Sequence, residues 1–217
     1  MAIARIQHAE AKTTASATVP ITITASLAGS LLVVMIANDI STLISGVTDN
    51  NGNTYVQAPG AHGGDAFARQ DIWYSANAIA GVTTITVTAN GTSAFLYGNM
   101  IEYSGVKTTS PLDTANQTVG TSPPVGPSLV VSTAGSVAIT YCFPHSVALT
   151  SVSSPWTLVA IDSGDDAVAE YINPPISTIS ASFIPATAQT FQSTGAVFLP
   201  PASGPSNAVK TGMFLVF

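Results

Sequence analysis

The chain has 217 residues and carries a net charge of −6, from five Lys and Arg against eleven Asp and Glu. Charged residues make up 7% of it, where a globular protein has about 25%, and Ser and Thr fill about a quarter of the chain instead. A phosphate-neutralising nucleic-acid binder and a polybasic membrane-surface protein are both excluded, because no basic patch can be built from so few cations.

The N-terminal stretch Met1–Lys12 lacks the apolar core of a secretory signal, so the expectation is synthesis in a host cytoplasm without a signal peptide. Val19–Ala25 is rich in β-branched residues and contains Pro20, which suits an edge strand. Leu31–Ala37 is continuously apolar: too short for a bilayer, which takes about 20 residues in a helix, but right for a strand buried on both faces. Leu43–Thr48 and Thr54–Gln57 flank an Asn-Gly turn, the pattern of a hairpin. Ala68–Ala76, Thr83–Ala89 and Phe95–Tyr103 read as further strands. In Thr84–Thr88 strict alternation puts Ile85 and Val87 on one face and threonines on the other.

Residues 107–127 contain Pro123, Pro124 and Pro127, which exclude a central strand, and read as a crossover. The second half then echoes the first: Gly135–Phe143 parallels Ser30–Ala37, Leu149–Ala160 parallels Leu43–Ala58, Ala167–Ile172 parallels Arg69–Tyr74, Ile179–Phe183 parallels Ile85–Val87, and Thr190–Leu199 parallels Phe95–Tyr103. The predicted fold is all-β: a two-sheet antiparallel, jelly-roll-like sandwich of about 8–10 strands in two pseudo-repeated halves. One domain is expected over 1–199, its halves 1–106 and 128–199 joined by the crossover, followed by a tail, 200–217.

Five stretches together resemble a known module: Leu31-Leu32-Val33-Val34; Val47-Thr48-Asp49 with Gly52-Asn53-Thr54-Tyr55; Ile72-Trp73-Tyr74-Ser75-Ala76; Ala80-Gly81 with Thr84-Ile85-Thr86-Val87-Thr88; and Ile101-Glu102-Tyr103-Ser104-Gly105-Val106. The order resembles a β-sandwich module of bacterial extracellular proteins and phage structural proteins, closely over 3–115 and loosely over 128–200. The resemblance implies a jelly-roll-like sandwich used for surface interaction, as virion decoration or adhesion, and its motifs include no catalytic signature.

Candidate chemistry is sparse. Cys142, the single cysteine, lies in an apolar run and reads as a buried hydrophobe. His8, His62 and His145 fall in no zinc-binding spacing. His62 beside Asp65 is a candidate base or ligand, against an exposed loop histidine. Asp49–Asn53 has the look of half a calcium loop but lacks the closing Glu. Asp162, Asp165 and Asp166 are the calcium candidates, with a solvated turn as the competing reading; no other cofactor is expected. Glu102 and Glu170 would make a glycosidase pair only if they shared a groove at about 5–10 Å. Trp73, Tyr74 and Trp156 are the sugar-stacking candidates, against the reading that they are core.

The expectation is therefore a non-enzymatic virion structural protein, a capsid decoration or cement protein located in the virion. Its partners would be the major capsid protein or other virion subunits, with self-association, a trimer being one form, and no nucleic acid or membrane. Ile3 and Ile6 at one end and Met213, Phe214, Leu215, Val216 and Phe217 at the other are the assembly candidates. The alternative is a carbohydrate-binding or adhesin module.

Overall fold

A computed structural model of the chain describes residues 1–162 and 166–202. No helix occurs among them. The strands, in chain order, are β1 (Ala4–Thr22), β2 (Leu31–Asp39), β3 (Ile44–Asp49), β4 (Val56–Gly64), β5 (Ala68–Ser75), β6 (Thr84–Ser104), β7 (Leu112–Gly120), β8 (Leu129–Val130), β9 (Val137–Pro144), β10 (Ser151–Val152), β11 (Thr157–Ile161), β12 (Ala167–Ile172), β13 (Thr178–Ile179), β14 (Phe183–Ile184) and β15 (Phe191–Phe198). The first sheet runs β1-β6-β2-β5-β4, with β3 also on β6, and the second runs β11-β12-β9-β15-β7. All pairings are antiparallel. Read from β7, the second sheet repeats the first position for position: β7, β15, β9, β12 and β11 stand where β1, β6, β2, β5 and β4 stand.

The sheets face each other across one core. Leu31, Val33 and Met35 of β2, Ile72 of β5 and Ile101 of β6 meet Val137 and Ile139 of β9, Val168 of β12 and Phe198 of β15. Side chains alternate faces along a strand, so the remaining apolar residues of β2 and β9 point outwards and need a second cover. Over the first sheet the cover is a flap. β1 and β6 are long enough to bend, and beyond the bend the end of β1 and the start of β6, with β3, pack Val19, Ile21, Ile85, Val87 and Val47 onto Leu32, Val34, Ile36 and Met100. The bend of β1 carries a register shift between Ser16 and Thr18 and a positive φ of 51° at Ala15. Over the second sheet, Leu129, Leu149, Trp156 and Phe183 cover Ala138, Cys142, Ala169 and Phe191.

Two expectations need correction. The Asn-Gly turn forms, with Gly52 at φ 77°, but its flanks do not pair as a hairpin: β3 pairs with β6 and β4 pairs with β5. Tyr55, just past the turn, is buried under the flap, and the chain passes from one layer to the next there. Within the crossover, 112–120 is not loop but β7, an edge strand on β15. Its prolines lie outside all the strands, Pro20 sits on edge strand β1, and Pro59 sits on edge strand β4.

Among the described residues, backbone contact closes the sandwich along one side only. There β4 abuts β7, and an added Cβ on Gly60 would lie 2.8 Å from the Ala115 carbonyl oxygen at a φ of +89°. Both conditions select glycine. Gly60→Ala is therefore expected to destabilise the fold by about 2 kcal/mol, read as a lowered urea midpoint with an unchanged slope; an unaltered midpoint would show that the closed side contributes nothing.

Candidate functional site

The side opposite β4 and β7, between β1 and the β11–β12 edge, is filled by polar side chains instead of backbone. A bulge between Arg5 and Gln7 shifts the parity of β1, so that Arg5, His8, Glu10 and Lys12 all turn towards the second sheet. Tyr103 Oη donates to Glu170 Oε2 at 2.6 Å, and Arg5 Nε lies 3.5 Å from Glu170 Oε1. Tyr141 Oη sits between Asp162 Oδ2 at 3.0 Å and Asp166 Oδ2 at 2.8 Å. Asn99 Nδ2 also donates to Asp162 Oδ2, at 2.9 Å, which leaves Asn99 Oδ1 facing His8 Nε2 at 3.2 Å. Burial, reinforced by the neighbouring carboxylates, raises the Tyr103 and Tyr141 phenols well above their ordinary range, so both stay protonated donors. Burial lowers His8, which favours a neutral ring donating from Nε2 to Asn99. The seam thus ties the two sheets together through charge-assisted hydrogen bonds. Its mouth is a cleft of about 170 Å³ lined by Glu10, Lys12, Tyr97, Asn99 and Asp162, among others.

Asp162 and Asp166, two of the calcium candidates, accordingly point inwards to Tyr141. Asp165 lies outside the described residues. Among the described residues no three His, Cys, Asp or Glu converge as metal ligands. Asp49 is occupied within its turn: its carboxylate accepts from the Asn51 and Asn53 amides, the Asn53 side chain and the Tyr55 hydroxyl. Glu102 and Glu170 are kept apart. Tyr103 reaches Glu170 across the inner core, so its neighbour Glu102 projects to the opposite face of β6, where it accepts from Gln7 Nε2 and the Leu27 amide. Cys142 is buried in the outer core of the second sheet.

The three sugar-stacking candidates do not form one platform. Trp73 packs against the outer core of the first sheet, Tyr74 lies edge-on to Phe198 in the inner core, and Trp156 is buried over the second sheet with Nε1 donating to Ser180 O. Odd and even neighbours on β5 must face opposite ways, and each face is a core here. Among the assembly candidates, Ile3 is buried in the inner core and cannot serve as an interface residue, whereas Ile6 is exposed at the bulge. Met213, Phe214, Leu215, Val216 and Phe217 lie outside the described residues.

One grouping escaped the sequence reading. At the end of the sandwich that holds the β4–β5 turn, an aromatic row crosses from sheet to sheet. Tyr97 and Phe95 centroids are 5.3 Å apart, Phe95 stacks on Phe143 at 5.6 Å, Phe143 meets His145 at 5.4 Å, and His145 meets Phe67 at 5.1 Å. Lys12 Nζ lies 6.0 Å from the Tyr97 ring. Period-two spacing of Phe95 with Tyr97 within β6, and of Phe143 with His145 at the end of β9, was the available signal. Asp65 also pairs differently from expectation: its Oδ2 is 3.1 Å from His145 Nε2, while His62 stands opposite Asp71 in the β4–β5 register.

Two outcomes follow for the buried polar groups. Tyr103→Phe strips Glu170 of its buried donor and should cost about 2 kcal/mol in a denaturant melt; a loss below a few tenths would mean that the seam is idle. Burial raises the Asp71 carboxyl to about 6, against opposing influences from Gln57, Arg69 and His62. The folded state therefore binds this proton more tightly than the unfolded chain, and this contribution to stability grows as pH falls from about 7 to 4. Asp71→Asn keeps an acceptor for Gln57. It should stabilise the protein by up to about 3 kcal/mol at pH 7.5 and confer little at pH 4, seen as melting temperatures across that range; a pH-independent difference would refute the assignment. Compared with family models, curated proteins and solved structures, the chain matches none.

Proposed function

We propose that this chain is a virion structural protein, a capsid decoration or cement protein that stabilises a phage head through subunit interfaces. The observation that carries this reading is the edge formed by β1. It runs over 19 residues and pairs only with β6 among the described residues. An unpaired edge of that length presents a row of free N–H and C=O groups, a ready template for a strand of another subunit.

Proteins that must stay single block such an edge with proline, bulges or charged side chains, inward-pointing ones included. On β1 the charges are confined to Arg5–Lys12, where Arg5, Glu10 and Lys12 turn inwards to the seam, and Pro20 comes only near the end, which leaves the stretch 13–19 without charge or proline. Ile6 stands exposed at the bulge, and the low-charge, hydroxyl-rich composition lets subunits approach with little desolvation cost. The resemblance to phage structural modules points the same way. An assembly role draws its energy from buried interface area and needs no reactive group. The partners on this reading are the major capsid protein and further copies of this chain.

Light scattering on the purified protein at tens of micromolar tests it. An oligomer is expected, with Ile6→Asp and deletion of residues 213–217 each lowering the mass while leaving the melting temperature within about 1 °C. A monomer at every concentration that also fails to bind undecorated phage heads overturns the reading.

A further inference from the structure

The aromatic row opens at one end into a cleft of about 400 Å³, lined by Phe67, Phe143, Pro144, His145, Ser146 and Thr190. We propose that this cleft binds a neutral saccharide, with a pyranose ring against Phe67 and Phe143 and its hydroxyls paired to His145, Ser146 and Thr190. The proposal is independent of the assembly reading: it concerns the end of the sandwich at the β4–β5 turn, not the free edge of β1.

The first ground is the placing of Phe67. Its side chain is 63% exposed, yet its backbone is held firmly: Asp65 Oδ1 accepts from the Phe67 amide at 2.8 Å and the Ala68 amide at 3.1 Å. The other oxygen of Asp65 faces His145 Nε2, so one carboxylate fixes the exposed ring relative to the second sheet. Unlike a lone exposed apolar residue, this ring continues an aromatic row along the wall of a cleft, and such a contiguous apolar surface is one a ligand can cover.

The opposite wall is equally prepared. Gln189 Oε1 accepts from the Val147 amide at 2.8 Å and from the Ser146 amide at 3.3 Å, and the His145 amide donates to Thr190 O at 3.0 Å. The loop carrying His145 and Ser146 is thereby clamped to the start of β15, and little ordering is left to be done on binding.

The second ground is unspent hydrogen-bonding capacity beside the cleft. Gln192 is the cross-strand partner of Phe143 and shares its face of the sheet with Thr190. It is 2% exposed, and neither its Oε1 nor its Nε2 has a hydrogen-bond partner among the described residues. Buried polar atoms are costly unless paired. The walls themselves add the polar side chains of His145, Ser146 and Thr190, which a polyhydroxylated ligand can pair and an apolar one would leave desolvated.

Charge selects among hydroxylated ligands. Asp65 stands beside the cleft against His145, the chain carries −6 overall, and no Lys or Arg is among the described residues that line the walls. Phosphorylated and sialylated sugars are therefore disfavoured. A volume of about 400 Å³ lies within the usual range for small-molecule clefts.

The test is an array of neutral and acidic bacterial surface glycans probed with the full chain. The best-binding glycan is then titrated in solution by calorimetry. Binding is expected for neutral glycans over sialylated ones. Phe67→Ala should weaken it at least tenfold with an unchanged melting temperature, and Ile79→Ala, at an exposed apolar position elsewhere, should leave it unaltered. No binding across the array overturns the proposal, as does binding indifferent to Phe67→Ala. A Phe67→Ala variant that binds glycan normally but loses oligomer mass would instead assign the cleft to subunit contact.

Discussion

Burial of the central strands on both faces is the constraint from which the rest of this architecture follows. Leu31–Ala37 in β2 and Val137–Cys142 in β9 are buried at every position. A strand has two faces, and one facing sheet covers only one of them. Each central strand therefore needs a second layer, and each fully buried aliphatic side chain contributes about 1.5–3 kcal/mol. The first half meets the demand by bending β1 and β6 back over their own sheet; the second half meets it with the short pairs β8–β13 and β10–β14. The molecule is thus a sandwich whose two sheets each carry a separate outer cover.

The pseudo-repeat explains where special chemistry can arise. In two halves with the same strand order, the side formed by β4 and β7 corresponds to the side formed by β11 and β1. These equivalent sides are built differently. At one, glycine lets backbones touch; at the other, Arg5, Glu170, Asp162, Asp166 and two tyrosines fill the gap with hydrogen bonds. Two tyrosine hydroxyls held protonated by burial serve as the donors, which lets carboxylates sit between the sheets without a matching number of cations in a chain that has few. Asymmetry introduced into a symmetric frame leaves the ends and edges free to differ. The aromatic row and the free edge of β1 occupy two of them.

Much of this was legible in the strand periodicities. Ile85 and Val87 are buried while their threonine neighbours are half-exposed, as alternation requires. The correspondences between Ser30–Ala37 and Gly135–Phe143, and between Arg69–Tyr74 and Ala167–Ile172, reappear as equal positions in the two sheets. Apart from β7, whose residues were read as part of a crossover because of the prolines around it, what failed did so for one reason: local pattern does not say which layer a strand joins. The Asn-Gly turn was real, but its flanks went to different partners. Trp73 and Tyr74 looked like a pair and face opposite cores. Glu102 and Glu170 each sat beside a tyrosine, and only Glu170 shares a core with the tyrosine that matters, Tyr103.

By itself, then, the sequence determined the all-β class, the buried centre of each sheet, the repeat and the absence of a basic surface, because period-two hydrophobicity and composition act locally and additively. Only the tertiary structure decided that Asp65 meets His145 instead of its near neighbour His62, that Ile3 is core while Ile6 is exposed, and that Phe67, Phe143 and His145 line one cleft. Those residues come from different sheets, and their meeting depends on how two covered sheets stack. That is a property of long-range packing with no counterpart in the spacing along the chain.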